Sequence, residues 1–293
     1  MYSDLYLDSF TLPDVDAEWE FFMKQKSSCY TSRYPFQIIA REWKTTLEFD
    51  DITILYGNNG SGKSTVLNVM AEKLGLDRFS PYNKTPFYGD YTALCSFRKG
   101  AKVPRERRMI VSDDVFDAMF RKRARNTQID DDRGALAEEY DRLRREGAEG
   151  FRLNSFRDAE KLEKMNDARR RTKSDYINKR LARNERTFSN GESALEFFLK
   201  NIGEDGLYLL DEPENSLSPE TQLKLKQYLE EQVRFYGCQF IIATHSPFLL
   251  SLKGARIYDL DKDVIKTAKW TDLPNVRVYY DFFRKHEKEF EQS

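Results

Sequence analysis

The most regular feature of the chain is a set of short apolar runs that end abruptly on glycine or polar residues. Ile52-Thr53-Ile54-Leu55-Tyr56 runs into Gly57, Leu207-Tyr208-Leu209-Leu210 into Asp211, and Gln239-Phe240-Ile241-Ile242-Ala243-Thr244 into His245. Runs of this length without alternation fit strands buried on both faces, as in a parallel sheet covered by helices. After the first run, Val66, Leu67, Met70 and Leu74 recur at helical spacing, which predicts a helix pinned to the sheet by one face. Pro219 stands at the first position of a helix continuing through Gln222 to Tyr236, and Gly237 closes it. The predicted fold class is α/β, a mixed sheet flanked by helices, with a further helical lobe inserted.

That insertion is where the pattern changes. From Arg121 to Thr187 there is no Pro, the aromatics reduce to Tyr140, Phe151, Phe156 and Tyr176, and 20 Lys or Arg stand against 14 Asp or Glu. Helix formers dominate Ala135 to Glu146 and Ala159 to Arg171, so exposed helices are expected over 135–147 and 157–185. No heptad is sustained there. The chain reads as one domain (1–293) made of an N-terminal lobe (1–120), this charged helical insertion (121–187) and a C-terminal lobe (188–293), both lobes sharing one sheet. Arg169-Arg170-Arg171 with Lys179-Arg180 forms a candidate phosphate-contacting face toward nucleic acid, and a solvated charged face is the plainer reading.

Composition narrows the class. With 40% hydrophobic and 33% charged residues in 293, the chain is too charged for a membrane protein and too apolar for a disordered one. No apolar run approaches the ~20 residues needed to span a bilayer. Met1 to Phe10, holding Asp4 and Asp8, lacks the build of a signal peptide, so a soluble, cytoplasmic protein is expected. Cys29, Cys95 and Cys238 are far apart, and His245 and His286 are the only imidazoles, which argues against a disulfide framework or a transition-metal site.

The chemistry concentrates at the ends of the apolar runs. Gly57-Asn58-Asn59-Gly60-Ser61-Gly62-Lys63-Ser64-Thr65 is a complete P-loop between a strand and a helix. Its glycines let the backbone curl so that successive N–H groups point at a phosphate, at the positive end of the following helix. Lys63 then neutralises the β- and γ-phosphates, and Ser64 offers its hydroxyl to Mg²⁺, so ATP and Mg²⁺ are the expected cofactors. Asp211 and Glu212 end the second run as a Walker B pair, Asp211 toward the metal and Glu212 toward the attacking water as general base. His245 ends the third strand beside the same pocket; a lone histidine is also often structural.

The order of these motifs resembles the ATP-binding cassette ATPases, because Phe188-Ser189-Asn190-Gly191-Glu192 lies 20 residues before Asp211, where that family has its signature motif. The resemblance implies that Ser189 and Gly191 open a helix whose N-terminus caps the γ-phosphate of a nucleotide held by a second subunit. Taken alone, the same four residues from Ser189 make a good turn and N-cap. Asn215-Ser216-Leu217-Ser218 matches the D-loop, although Ser218 stands where many cassettes have Asp, and His245 matches the switch histidine. Leu209 to Glu220 and Ala243 to Leu250 resemble the recombination and chromosome-maintenance branch and its small bacterial predicted ATPases more than the transporters. The likeness extends from Tyr34-Pro35-Phe36 through Gly254 to Tyr258 and on to Tyr280-Asp281-Phe282-Phe283, and is weakest across 121–187.

A Q-loop glutamine is missing. Gln128 is the only glutamine between the P-loop and the signature, far from any strand pattern, which leaves Arg98 or Asn83 as weak substitutes. The run Tyr30-Thr31-Ser32-Arg33-Tyr34 lies where cassettes stack adenine, and an ordinary strand is an equal reading. The resemblance implies a homodimer that closes around two ATP molecules and opens on hydrolysis, acting on nucleic acid or a partner effector in DNA maintenance or phage defence. The alternative is the nucleotide-binding subunit of a transporter, against which the missing glutamine counts. A non-hydrolysing scaffold is disfavoured by the presence of Glu212 and His245.

Overall fold

The computed structural model describes residues 4–25, 30, 32–39, 45–148, 156–184, 190–262 and 264–291. The chain divides into two units, Met1–Phe116 with Asn190–Ser293, and Asp117–Ser189. In chain order the first unit contributes β1 (Leu7–Leu12), α1 (Val15–Lys24), β2 (Thr45–Glu48), β3 (Ile52–Tyr56), α2 (Lys63–Leu74), β4 (Asp77–Arg78), α3 (Tyr88–Leu94), β5 (Ser96–Lys99) and β6 (Glu106–Val111). Helix α4 (Ser112–Ala148) runs on into the second unit, which also holds α5 (Phe156–Arg170) and α6 (Lys173–Asn178). The first unit resumes with α7 (Asn190–Asn201), β7 (Gly206–Asp211), α8 (Pro219–Tyr236), β8 (Gln239–Ala243) and α9 (Pro247–Leu250). It ends with β9 (Arg256–Asp259), β10 (Lys266–Ala268), α10 (Pro274–Lys285) and α11 (Glu287–Glu291).

The apolar runs become the centre of a seven-stranded sheet of order β10-β9-β3-β8-β7-β6-β4. Its pairs are parallel except for β10 on β9. Every residue of β3 and β8 is buried, and β7 is buried up to Asp211. That explains why these strands are continuous hydrophobic text rather than alternating text. Strands from before the insertion (β3, β4, β6) and after it (β7 to β10) share the sheet. The register ends four of them level, with Leu55 and Asp211 both opposite Ala243, and Val111 opposite Asp211.

Helix α2 lies on this sheet through Val66, Leu67, Val69 and Met70, all fully buried, and Gly75 closes it in the left-handed region at φ +63°. Helix α8 carries its signals as read: Pro219 in the first turn, Ser218 as N-cap accepting from the Thr221 N–H, and Gly237 at φ +64°. The N-cap duty explains a serine at 218, because its hydroxyl satisfies a donor that the helix itself leaves free.

A second, antiparallel sheet of order β2-β1-β5 was not foreseen, since its outer strands are only four residues long and its register slips between Leu7 and Ser9. Side chains of the main sheet tie it down, Tyr258 on β9 bonding the backbone of Glu48 and Gln239 on β8 bonding the start of β1. Gln239, on β8 and buried, accepts from the N–H groups of Tyr6 (3.1 Å) and Leu7 (3.0 Å). Its Nε2 donates to the carbonyls of Leu7 (2.8 Å) and Asp50 (3.3 Å).

In the second unit α4 runs 37 residues without a break through the 120–121 boundary read from composition. In its first half the buried apolar residues Val115, Met119 and Ile129 are widely spaced among charges, with pairs such as Arg133 and Asp130 near its middle, so periodicity misses it. The helix expected over 157–185 is two helices. Thr172 interrupts it, its hydroxyl capping the Asp175 N–H at the start of α6. A small core of Tyr140, Leu143, Met165, Ala168, Tyr176 and Ile177 holds α4 to α6 together.

Replacing Gln239 with leucine strands four buried backbone groups. The expected loss of folding stability is about 2–4 kcal/mol in urea unfolding, and a loss below about 1 kcal/mol contradicts the tie between the sheets.

Candidate functional site

The level ends of β3, β7 and β8 set the site. Gly57 to Gly62 loops from β3 into α2, with Gly60 at φ +87° and Gly62 at φ +93°, values that favour glycine. A Cβ on Gly57 would collide with the side chain of Ser61, so the first turn of the loop also needs glycine. Lys63 is buried, and its ammonium donates to the carbonyls of Gly57 (2.8 Å) and Asn58 (3.0 Å), back into its own loop rather than to a carboxylate. Ser64 donates to Asp211 Oδ1 across 3.1 Å, which joins the start of α2 to the end of β7. Thr65 faces the chain before β2, its hydroxyl 3.1 Å from the Tyr34 hydroxyl.

Beyond Asp211 the backbone turns sharply. Glu212 sits at φ +47°, an uncommon conformation for a side-chain-bearing residue, and its N–H is held by the Ala243 carbonyl at 2.9 Å. Its carboxylate accepts from Asn215 Nδ2 (3.0 Å) and lies 3.9 Å from His245 Nδ1. Burial pushes the Asp211 carboxyl up to about 6 from 3.8, with the Ser64 hydrogen bond opposing and the Glu212 charge adding to the rise. The described residues fit a triphosphate with a divalent cation: a buried lysine satisfied by carbonyls, a hydroxyl–carboxylate pair, and an acid whose ionised form is disfavoured by desolvation despite the Lys63 charge nearby.

Of the residues singled out from the sequence, Gly57 to Thr65, Asp211, Glu212 and His245 come together at this sheet edge. Ser189 lies outside the described residues, as does Thr31. Gly191 stands in the first turn of α7, where a Cβ would approach Thr221 Oγ1 (3.3 Å) and the Ser216 carbonyl (3.7 Å). Arg98 is no Q-loop substitute, since it pairs with Asp8 (3.4 Å) and Glu48 (2.9 Å) on the small sheet. Asn83 sits on an exposed loop. The strand tip beside Asp211 is instead Val111-Ser112-Asp113-Asp114, with Asp114 buried and accepting from the Val111 N–H at 2.8 Å. Arg33 and Tyr30 lie against Phe22 and Phe87, and Tyr34 touches the residue that ends the P-loop, Thr65. In the basic face, Arg171 (2.6 Å) and Arg180 (2.8 Å) both pair with Asp167, which leaves Arg169, Arg170 and Lys179 as its exposed charges.

Two acids here escaped sequence reading. Asp261, just past β9, accepts the Asn58 N–H with both oxygens (2.9 and 3.0 Å) and so fixes the start of the P-loop. Glu214 is buried between the β7 turn and β8, accepting from Thr244 Oγ1 (2.7 Å) and the His245 N–H (3.0 Å). Only the acid-rich spacing Asp211, Glu212, Glu214 hinted at the second, and nothing at the first.

Residues 120–251 match the family model described as "AAA domain, putative AbiEii toxin, Type IV TA system", a stretch that includes Asp211, Glu212 and His245 and stops short of the P-loop. No curated protein sequence matches the chain significantly. Among solved structures, the chain is similar to an Smc head domain of Pyrococcus furiosus bound to the C-terminal domain of ScpA (12% identity, TM-score 0.41), covering 90% of this chain and 96% of that one. It is also similar to the SMC head domain of Thermotoga maritima (14% identity, TM-score 0.37), covering 90% and 99%. The parallel sheet, the P-loop between β3 and α2 and the acidic tip of β7 together make a P-loop fold of the α/β class. Among the described residues, no helix is long and apolar enough to cross a membrane.

Because Asp211 holds its proton more tightly folded than unfolded, its contribution to stability is full below pH 3.8 and is lost as pH rises through 6. At pH 7.5 its ionised form costs the free protein about 3 kcal/mol. Asp211→Asn is therefore expected to be more stable than the parent by about 2–3 kcal/mol at pH 7.5 and nearly equal to it at pH 4, by urea unfolding. Equal stabilities at both pH values contradict this.

Proposed function

We propose that the protein is a Mg²⁺-dependent ATPase that dimerises around two ATP molecules and works as an ATP-driven switch on a partner effector or nucleic acid. The observation that carries this reading is the convergence of Lys63, the Ser64–Asp211 pair, Glu212 and His245 at one sheet edge. On binding, Lys63 turns from the carbonyls of Gly57 and Asn58 to the β- and γ-phosphates, and the loop N–H groups converge on the same oxygens. Ser64 and Asp211 would hold Mg²⁺, which would supply positive charge to the phosphate oxygens. Glu212, fixed by its strained backbone and by Asn215, takes the proton of the attacking water. His245 stands 3.9 Å from Glu212 at the γ-phosphate end.

The remaining side of the γ-phosphate is supplied by Ser189 and Gly191 of a second copy, at the N-terminus of α7. Within its own chain the start of that helix packs against Ser216, Ser218 and Thr221, next to the turn that follows Glu212. An effector partner agrees with the toxin–antitoxin description of the matched family. Arg169, Arg170 and Lys179 are the charges available to a nucleic-acid backbone.

Lys63→Ala is expected to lose ATP binding. Glu212→Gln is expected to bind ATP, lose turnover by at least about 10²-fold, and accumulate a dimer holding two nucleotides, read by light scattering and nucleotide stoichiometry. Parental turnover in Glu212→Gln removes the general-base assignment. Mixing inactive Lys63→Ala with inactive Ser189→Arg regenerates one composite site per mixed dimer and should restore part of the activity. A dead mixture of folded, dimerising variants contradicts the shared site.

A further inference from the structure

That reading leaves one buried carboxylate without a task. The Glu214 side chain is 6% exposed and lies against the switch from below: Oε1 accepts from Thr244 Oγ1 and the His245 N–H, and Oε2 has no partner. On the other side, Asn275 at the start of α10 donates to the His245 carbonyl at 2.6 Å. The peptide of His245 is thus held on both sides.

The imidazole is not held in that way. Its side chain is 49% exposed and borders a cavity of about 690 Å³ with Trp270, Tyr279, Tyr280 and Phe283 in its walls. A half-exposed ring beside open space is not fixed by packing, so polar contacts must set its orientation. Two carboxylates are near Nδ1: Glu214 Oε1 at 3.5 Å and Glu212 Oε1 at 3.9 Å. Glu214 is the closer and the more buried, and Glu212 is already engaged by Asn215.

We propose that Glu214 is a positioning residue for ATP hydrolysis, orienting the His245 imidazole by accepting a hydrogen bond from Nδ1–H and leaving Nε2 as the free acceptor at the reacting end. An ionised carboxylate only accepts, so this bond requires the ring proton on Nδ1. The 3.5 Å separation is longer than a formed bond, and such contacts tighten when ligand binds. Glu214 also accepts the Leu217 N–H on its carbonyl at 3.0 Å, so the turn through Asn215 to Ser218 and the histidine ring share one anchor. The inference rests on the assignment of this site to ATP hydrolysis.

With only two histidines in the chain, ¹⁵N-histidine spectra assign directly, His286→Gln identifying the other ring. The parent protein is expected to show His245 as the Nδ1–H tautomer, Glu214→Gln to keep it because its amide oxygen can accept the same proton, and Glu214→Ala to lose the preference. Glutamine also keeps an oxygen for Thr244 and the His245 N–H, so Glu214→Gln should keep the thermal midpoint, the KM for ATP and kcat near parental values, while Glu214→Ala loses about 10²-fold in kcat. A parent spectrum dominated by Nε2–H overturns the proposal without any variant, and so does a Glu214→Ala protein with parental kcat while Glu212→Gln is inactive. Should Glu212→Gln itself remain active, the hydrolysis assignment fails first, and Glu214 has no reaction to serve.

Discussion

The site depends on strand register. Asp211 and Leu55 both stand opposite Ala243 in a run of parallel strands, so the P-loop, the acidic turn and the loop that carries His245 leave the sheet at the same level. A one-residue slip of β7 against β8 would carry Asp211 away from Ser64 and turn alternate side chains to the opposite face. That register is secured by burial on both faces of β3, β7 and β8, and by Gln239, which stitches the small sheet to the large one beneath the site. Binding chemistry at the carboxyl ends of parallel strands is the usual consequence of this architecture.

The same register concentrates unfavourable electrostatics. Asp211 is buried next to Glu212 and not far from Glu214, and its carboxyl is pushed up by desolvation despite the Ser64 hydrogen bond. Glu212 adds backbone strain at φ +47°. Lys63 spends its charge on two carbonyls of its own loop. The desolvated Asp211 carboxylate and the Glu212 backbone raise the free energy of the site, and a divalent cation held by Asp211 would recover part of it.

Much of this was legible in the residues because the relevant strands are buried on both faces, which leaves a clear apolar signature, and because the P-loop requires glycines at fixed positions. What escaped reading was set by tertiary contact. Asp261 reaches Asn58 across 203 residues of sequence, Gln239 reaches Tyr6 across 233, and no local pattern marks either. Glu214 differs from an ordinary exposed acid only in what folds over it. The small antiparallel sheet hid because four-residue strands carry almost no period. The single helix expected after residue 157 was misread because a threonine that caps looks in sequence like one that merely tolerates a helix.

The central claim is that β3 and β7 present one divalent-cation and phosphate site, built from Ser64 and Asp211 with Lys63 beside them. Crystals of Glu212→Gln grown with ATP and Mn²⁺ test it directly through the anomalous signal of manganese. The account predicts one strong peak per chain within ligand distance of Ser64 Oγ, on the Asp211 side and against the β- and γ-phosphates, with Lys63 turned off the Gly57 and Asn58 carbonyls. A peak elsewhere, or ordered ATP with Lys63 still folded into its own loop, would contradict it.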